Sequence, residues 1–149
     1  MTAKQLYSSP LGVLEVECDG VALTALRFST AADAAESFNI PAAIQRWLDC
    51  YFSGSRPDYV PPLKMQGTAF QQRVWCELLA IPYGRTTTYG EIARRIGCRS
   101  AQAVGQAVGR NPIAVVVPCH RVVGADGTLT GYAYGLELKR RLLELEGRN

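Results

Sequence analysis

The residues able to do chemistry crowd into one short stretch. Val115 to Val123 reads Val-Val-Val-Pro-Cys-His-Arg-Val-Val, and it sets Cys119 beside His120, the single histidine among 149 residues. A thiol attacks as its thiolate, and an adjacent imidazole or guanidinium can depress its pKa and supply that form. Cys119, flanked by His120 and Arg121, is therefore a candidate nucleophile with a depressed pKa. A buried structural thiol beside a satisfied histidine is the competing reading. Ile113 to Val117 is apolar and mostly β-branched, the pattern of a buried strand. Pro118 can extend neither a ladder nor a helix, so the chain is expected to change direction where the thiol appears.

Several elements must position this pair. Leu14, Val16 and Cys18 alternate with Glu15 and Glu17, Asp19-Gly20 follows, and Val21 to Phe28 resumes an apolar run. Asp-Gly between two such runs signals a β-hairpin, because both residues tolerate positive φ. Residues 31–38 are ambiguous, with a short helix one option. Ile44, Trp47, Leu48, Tyr51 and Phe52 share one helical face, which predicts a helix from about Pro41 to Ser53, stopped by Gly54. Ser53 to Gln66 carries Gly54, Pro57, Pro61 and Pro62 and reads as a connector. The expected organisation is an N-terminal α+β domain over 1–54, a linker over 55–66 and a second domain over 67–149.

In the second domain Phe70, Val74 and Leu78 form a helical stripe that Pro82 and Gly84 end. Thr88 can cap the next helix, with Glu91 completing a capping box. After Gly97-Cys98-Arg99, Ser100 can cap a third helix running to Val108. Helix, short glycine-containing turn and helix is the layout of a helix-turn-helix, a corner that also occurs in proteins with no nucleic-acid role. The third helix is nearly bare, with Ala101, Ala103, Gly105, Ala107 and Gly109. Small residues allow close packing in a core; they also allow a helix to lie in a minor groove, where Gln102 is the natural wedge. Val122-Val123, a turn at 124–127 and Thr128 to Thr130 suggest a hairpin or wing. Gly131-Tyr132-Ala133-Tyr134-Gly135 could wall a pocket for a flat ring. The last helix is expected to turn Leu138, Leu142 and Leu145 inward and Lys139, Arg140 and Arg141 outward, with Glu146 at its end. The fold class is α+β: a small N-terminal antiparallel sheet plus helix, then a mainly helical domain with a helix-turn-helix or winged-helix-like unit.

Composition narrows the function. The five cysteines (Cys18, Cys50, Cys76, Cys98, Cys119) are scattered, with no CxxC pair and one histidine, so disulfide and zinc frameworks are weak and no metal is expected. Free thiols suit a reducing cytosol. Met1 to Leu14 lacks the apolar region of a secretory signal, and no apolar run reaches membrane-spanning length, so no membrane partner is expected. The net charge of +3 is unevenly spread. Residues 1–65 carry five basic and seven acidic side chains, whereas 66–149 carry 11 and 6. The second half, with Arg94, Arg95, Arg99 and Arg110, is the candidate surface for a polyanion.

Taken together, the chain resembles the O6-alkylguanine-DNA alkyltransferases. The resemblance rests on Thr88 to Ala93, Ala103-Val104-Gly105, Asn111-Pro112-Ile113, Pro118-Cys119-His120-Arg121-Val122, Gly131-Tyr132, and Leu142-Leu143 with Glu146. It is close over about residues 67–147; residues 5–54 match in general layout through Ser9 to Gly12. It implies stoichiometric repair of O6-alkylguanine, and of O4-alkylthymine, in double-stranded DNA. The lesion is flipped out through the minor groove and its alkyl group passes to Cys119, with no cofactor. A base inside a duplex cannot present its O6 substituent for in-line attack, which is why extrusion is needed.

Residue roles follow from the same resemblance. His120 activates Cys119 through a bound water, and Glu146 orients the other imidazole nitrogen. On extended backbone Cys119 and His120 would point to opposite sides, which fits an indirect relay. Tyr89 helps turn the target phosphate and donates to the base, and Asn111 ties the recognition helix to the cysteine segment. Arg99, Ser100, Ala101, Gln102, Ala103 and Gly105 are implied to meet DNA. The carbonyls of Cys119 and Val122, with Tyr132, Ala133 and Tyr134, are implied to hold the base, and Arg121 pairs internally. A monomer working in the cytoplasm, associated with the nucleoid, is expected.

Two positions depart from the family pattern. Gln102 stands where an arginine usually fills the gap left by the flipped base, and Tyr134 replaces the first glycine of a Tyr-x-Gly-Gly loop. The alternatives are a non-catalytic lesion-binding protein of the alkyltransferase-like kind, which replaces the acceptor cysteine, or a thiol-sensing winged-helix regulator, which would require a dimerisation segment.

Overall fold

Alternating side chains near the N-terminus build three antiparallel strands, β1 (Ala3–Ser9), β2 (Gly12–Asp19) and β3 (Ala22–Phe28), in that order across the sheet. They are seen in a computed structural model that describes residues 3–29 and 40–147, so the ambiguous stretch at 31–38 lies outside the described residues. The expected hairpin joins β2 to β3, with Asp19 opposite Ala22 and Gly20 at φ 64°. Strand β1 was not evident from pattern, because only Leu6 and Tyr7 are large and apolar in it. It pairs along its whole length with β2, from Ala3 opposite Cys18 to Ser9 opposite Gly12.

The helical stripe gives α1 (Ala42–Phe52), and Ile44, Trp47, Leu48, Tyr51 and Phe52 are all buried. Sheet and helix meet where Tyr7 stacks 6.1 Å from Phe52 and donates its hydroxyl to Asp49. Leu14, Val16, Leu23 and Leu26 complete this core. Residues beyond α1 are tied to β3: the Leu23 N–H donates to the Pro62 carbonyl at 2.8 Å, and the Lys64 N–H to the Leu23 carbonyl at 2.9 Å. By contacts the chain forms two units, Met1–Gln66 with Pro112–Ala114, and Gly67–Asn111 with Val115–Asn149.

The second unit starts with α2 (Ala69–Leu79), capped by a reciprocal box between Thr68 and Gln71 that pattern reading overlooked. Trp75 is fully buried on α2 and donates its indole N–H to the Ala107 carbonyl at 2.9 Å. The helix-turn-helix forms as α3 (Tyr89–Arg95) and α4 (Ala101–Gly109), with Gly97 at φ 70° in the turn and the Ser100 hydroxyl accepting from the Ala103 N–H. Thr88 does cap α3 by accepting from the Glu91 N–H, but the Glu91 side chain is engaged by Arg94 and Arg95, so no reciprocal box is seen.

Three expectations need correction. Ile113–Val117 is not a strand: after a single parallel bridge from Ile113 to Leu26 the chain turns, with Val115 at φ 71°, a value no strand residue adopts. Burial without alternation fits a packed turn as well as a strand, and here the turn won. The wing does not form as a hairpin. Val122–Val123 (β5) instead runs parallel to Thr87–Thr88 (β4), while the Gly124 N–H closes a loop onto the Thr128 carbonyl. Finally, in α5 (Leu136–Leu145) the buried face is Lys139, Leu142 and Leu143, with Leu138 and Leu145 only partly buried.

Candidate active site

Cys119 begins a single 3-10 turn, Cys119–Arg121, so the extended backbone expected for the Cys-His pair is replaced by a tight turn. The thiol is 8% exposed and opens onto a cavity of about 630 Å³. One wall of that cavity is the bare face of α4: Ala101, Gly105 and Gly109 recur every fourth residue, joined by Gln102, Gln106 and Val108. The Gly131 to Tyr134 loop also lines it, together with Tyr89 and Asn111. The two explanations for the small residues of α4 thus apply to different faces. Ala107 packs in the core beneath Trp75, while Ala101, Gly105 and Gly109 keep the cavity wide.

The remaining anticipated residues divide between cavity and support. Tyr89 is half-buried at the start of α3 and donates its hydroxyl to the Thr130 carbonyl at 3.3 Å. Asn111 Nδ2 donates to the Val117 carbonyl at 2.8 Å, and its side chain also bonds Cys119. Tyr132 meets Tyr134 edge to face at 5.6 Å, and the Tyr132 hydroxyl is buried with no hydrogen-bond partner among the described residues. Ala133 is exposed at the cavity rim. Val122 is fully buried in β5 and does not border the cavity with its side chain. Arg99 and Ser100 are exposed in the helix-turn-helix corner, and Ala103 faces a separate groove beside Thr68 and Arg110. Of the basic cluster, Arg94 and Arg95 pair with Glu91, whereas no ion pair involves Arg99 or Arg110 among the described residues.

Behind the thiol lies a buried polar network. His120 is fully buried, and its Nε2 lies 2.6 Å from Glu146 Oε2. Glu146 also accepts from Arg121 Nε at 2.8 Å, from Arg121 Nη2 at 3.1 Å and from the Gly84 N–H at 3.1 Å. Burial alone would favour the neutral acid. Hydrogen bonds from His120 and Arg121, with the Arg121 charge, win and hold the carboxyl down at about 2. Glu146 therefore stays an acceptor and leaves proton exchange to the imidazole.

The depressed thiol pKa expected from the sequence is not found. Burial raises Cys119 above its ordinary value, against the lowering influence of Asn111, Lys139 and its own backbone. Burial likewise lowers His120, although Glu146 pulls the other way. Desolvation penalises both charged forms, so the resting pair is a neutral thiol and a neutral imidazole.

Lys139 is a candidate site residue that the sequence places on the solvent side and the structure turns inward. It is fully buried, and its Nζ donates to the Thr130 carbonyl at 2.6 Å and the Gly131 carbonyl at 3.2 Å. Desolvation brings its pKa from 10.5 down to about 8, and its charge favours the Cys119 thiolate. A signal was present. Lys139, Leu142, Leu143 and Glu146 share one helical face, so a Glu146 aimed inward carries Lys139 in with it.

Comparison with known proteins agrees with this geometry. Residues 69–148 match the family described as 6-O-methylguanine DNA methyltransferase, DNA binding domain. The chain is 47% identical over 146 residues to a methylated-DNA–protein-cysteine methyltransferase of Mycobacterium bovis, covering 93% of this chain and 88% of that protein. A protein of the same name from Methanosarcina acetivorans is 55% identical over 103 residues, 68% of this chain and 66% of that one. The crystal structure of Mycobacterium tuberculosis OGT in complex with DNA superposes with a TM-score of 0.88 at 46% identity, over 96% of this chain and 91% of that chain.

Proposed function

Because this chain belongs to the 6-O-methylguanine DNA methyltransferase family, we propose that its repair reaction ends on Cys119, which takes the alkyl group of O6-alkylguanine once and keeps it. Direct reversal of alkyl damage by methyl transfer from DNA to a protein cysteine is the activity of the chain. The observation that carries the assignment to Cys119 is its place in the lining of the cavity, backed by the buried His120–Glu146 pair.

The chemistry follows from these groups. Glu146 occupies Nε2 of His120, so the ring atom that takes the thiol proton, through a water, is Nδ1. The thiolate forms a bond to the alkyl carbon as the carbon–O6 bond breaks, and the electron pair leaves with guanine. The Tyr89 hydroxyl gives its proton to the departing purine, and the thiol proton held on His120 Nδ1 passes through water to restore that hydroxyl, so both side chains end neutral. Because the resting thiol is neutral, the nucleophile is formed when the lesion fills the cavity and the relay engages. Lys139 supports the thiolate by charge.

The surroundings fit an extruded base. Arg99, Ser100, Ala101, Gln102, Ala103 and Gly105 meet the minor groove, and Gln102 fills the vacated stack position. Tyr132, Ala133 and Tyr134 hold the flipped base, with the carbonyls of Cys119 and Val122 accepting from its amine. Residues 67–149 carry the reaction; 1–54, through the 55–66 connector, support it. The protein acts as a monomer on nucleoid DNA in the cytoplasm, and O4-alkylthymine is a second substrate. Cys119→Ser tests the assignment: methyl transfer is lost while binding to the methylated duplex persists. Continued transfer by the serine variant would overturn it.

A further inference from the structure

Three groups from one loop converge on the carboxylate–guanidinium pair without reaching the cavity. The loop follows α2 and reads Ile81-Pro82-Tyr83-Gly84. The Ile81 carbonyl accepts from Arg121 Nη1 at 2.8 Å, and the Tyr83 ring lies 5.6 Å from the centre of the same guanidinium. The Gly84 N–H donates to Glu146 Oε1 at 3.1 Å. Gly84 is at φ 77°, and a Cβ there would come within 3.3 Å of the Glu146 backbone carbonyl. A residue with a side chain is therefore strained at this position and crowds the acid it serves.

We propose that the Ile81–Gly84 loop is a positioning element of the proton relay: it clamps Arg121 and Glu146 so that Glu146 Oε2 stays on Nε2 of His120. The proposal rests on Cys119 being the alkyl acceptor. The loop does not border the cavity, so its members touch neither DNA base nor thiol. Charged groups acting on His120 include Glu146 and Lys139 from the last helix and its end, and Arg121 from its own turn. To this set the loop adds backbone groups and a neutral ring, so its influence on the imidazole passes through the placement of Arg121 and Glu146. Loosening that placement weakens the bond that opposes the loss of basicity His120 suffers on burial. A weaker base needs a higher pH to draw the proton from the thiol.

The test is single-turnover methyl transfer from a duplex carrying O6-methylguanine, followed from about pH 6 to about pH 9.5. Gly84→Ala, Tyr83→Leu and Tyr83→Phe are compared with the parent chain, with affinity for the same duplex measured by fluorescence anisotropy. Gly84→Ala and Tyr83→Leu are expected to slow transfer by about 3- to 30-fold at neutral pH, with a deficit that narrows as pH rises. Affinity is unchanged, and Tyr83→Phe, which keeps the ring, recovers the parent profile. A loss equal at every pH, or no loss, overturns the proposal. If Gly84→Ala does not fold, the Tyr83 pair gives the same comparison. Methyl found off Cys119 in the parent chain would sink the acceptor assignment, whereas methyl on Cys119 with unshifted variants would sink the clamp alone.

Discussion

Replacing Lys139 with methionine should leave the fold about as stable at neutral pH while slowing the reaction. The lysine is fully buried on α5, and desolvation takes its pKa from 10.5 to about 8. That difference amounts to about 3 kcal/mol of burial penalty at neutral pH. The sign follows from proton binding. Between about 8 and 10.5 the unfolded chain keeps a proton that the folded chain has released, so stability rises with pH across this window. Below about 8 the penalty is present in full. Methionine removes it but forfeits the ammonium's bonds to the Thr130 and Gly131 carbonyls, each charge-assisted and worth about 1.5 kcal/mol. The two contributions offset each other, so the net change expected at pH 7 is close to zero. Without the ammonium the thiolate loses a favourable charge, and transfer should slow by roughly tenfold if one pKa unit of support is lost. Urea denaturation followed by tryptophan fluorescence, with Lys and Met at 139 compared in a shared Cys119→Ser background between pH 7 and about pH 10.5, isolates the effect, because the thiol coupled to Lys139 is then absent and the remaining titrations cancel in the difference. Parallel stability curves, or a variant about 2 kcal/mol weaker at pH 7, would refute the reasoning.

Two departures from the family pattern lead to further expectations. Gln102 is exposed at the cavity edge, and glutamine stacks less well than a guanidinium and carries no charge. Gln102→Arg should therefore raise duplex affinity or transfer rate by several-fold, and equal values for both in a single-turnover assay would rule out a limiting role for Gln102. Tyr134 lines the cavity and sets its ring against Tyr132. Free O6-benzylguanine should react more slowly than O6-methylguanine, with Tyr134→Gly closing the gap; equal rates in the unsubstituted chain would count against a narrowing role.

The reactive pair was legible because chemistry is local: a thiol beside the single histidine, next to a proline, is visible in one line of sequence. Caps were legible for the same reason, as Ser100 and Thr88 show. What escaped depended on tertiary context. Ile113–Val117 is apolar throughout, and that pattern does not separate a buried strand from the buried turn that Val115 makes. Lys139 looked like solvent-facing charge because lysine seldom survives burial, and only its shared face with Glu146 says otherwise. The raised thiol pKa is also a property of the assembled fold, since burial outweighs neighbours that would lower it. Strand β1 has too few large apolar residues to declare itself without its partner β2.

The central claim is covalent transfer to one sulfur, and intact-mass analysis reads it directly. After incubation with an equimolar duplex bearing one O6-methylguanine, the chain should gain roughly 14 Da, one methyl replacing one hydrogen, with peptide mapping placing it on Cys119. Repaired DNA beside a protein of unchanged mass, or a methyl group on Cys18, Cys50, Cys76 or Cys98 instead, would contradict it.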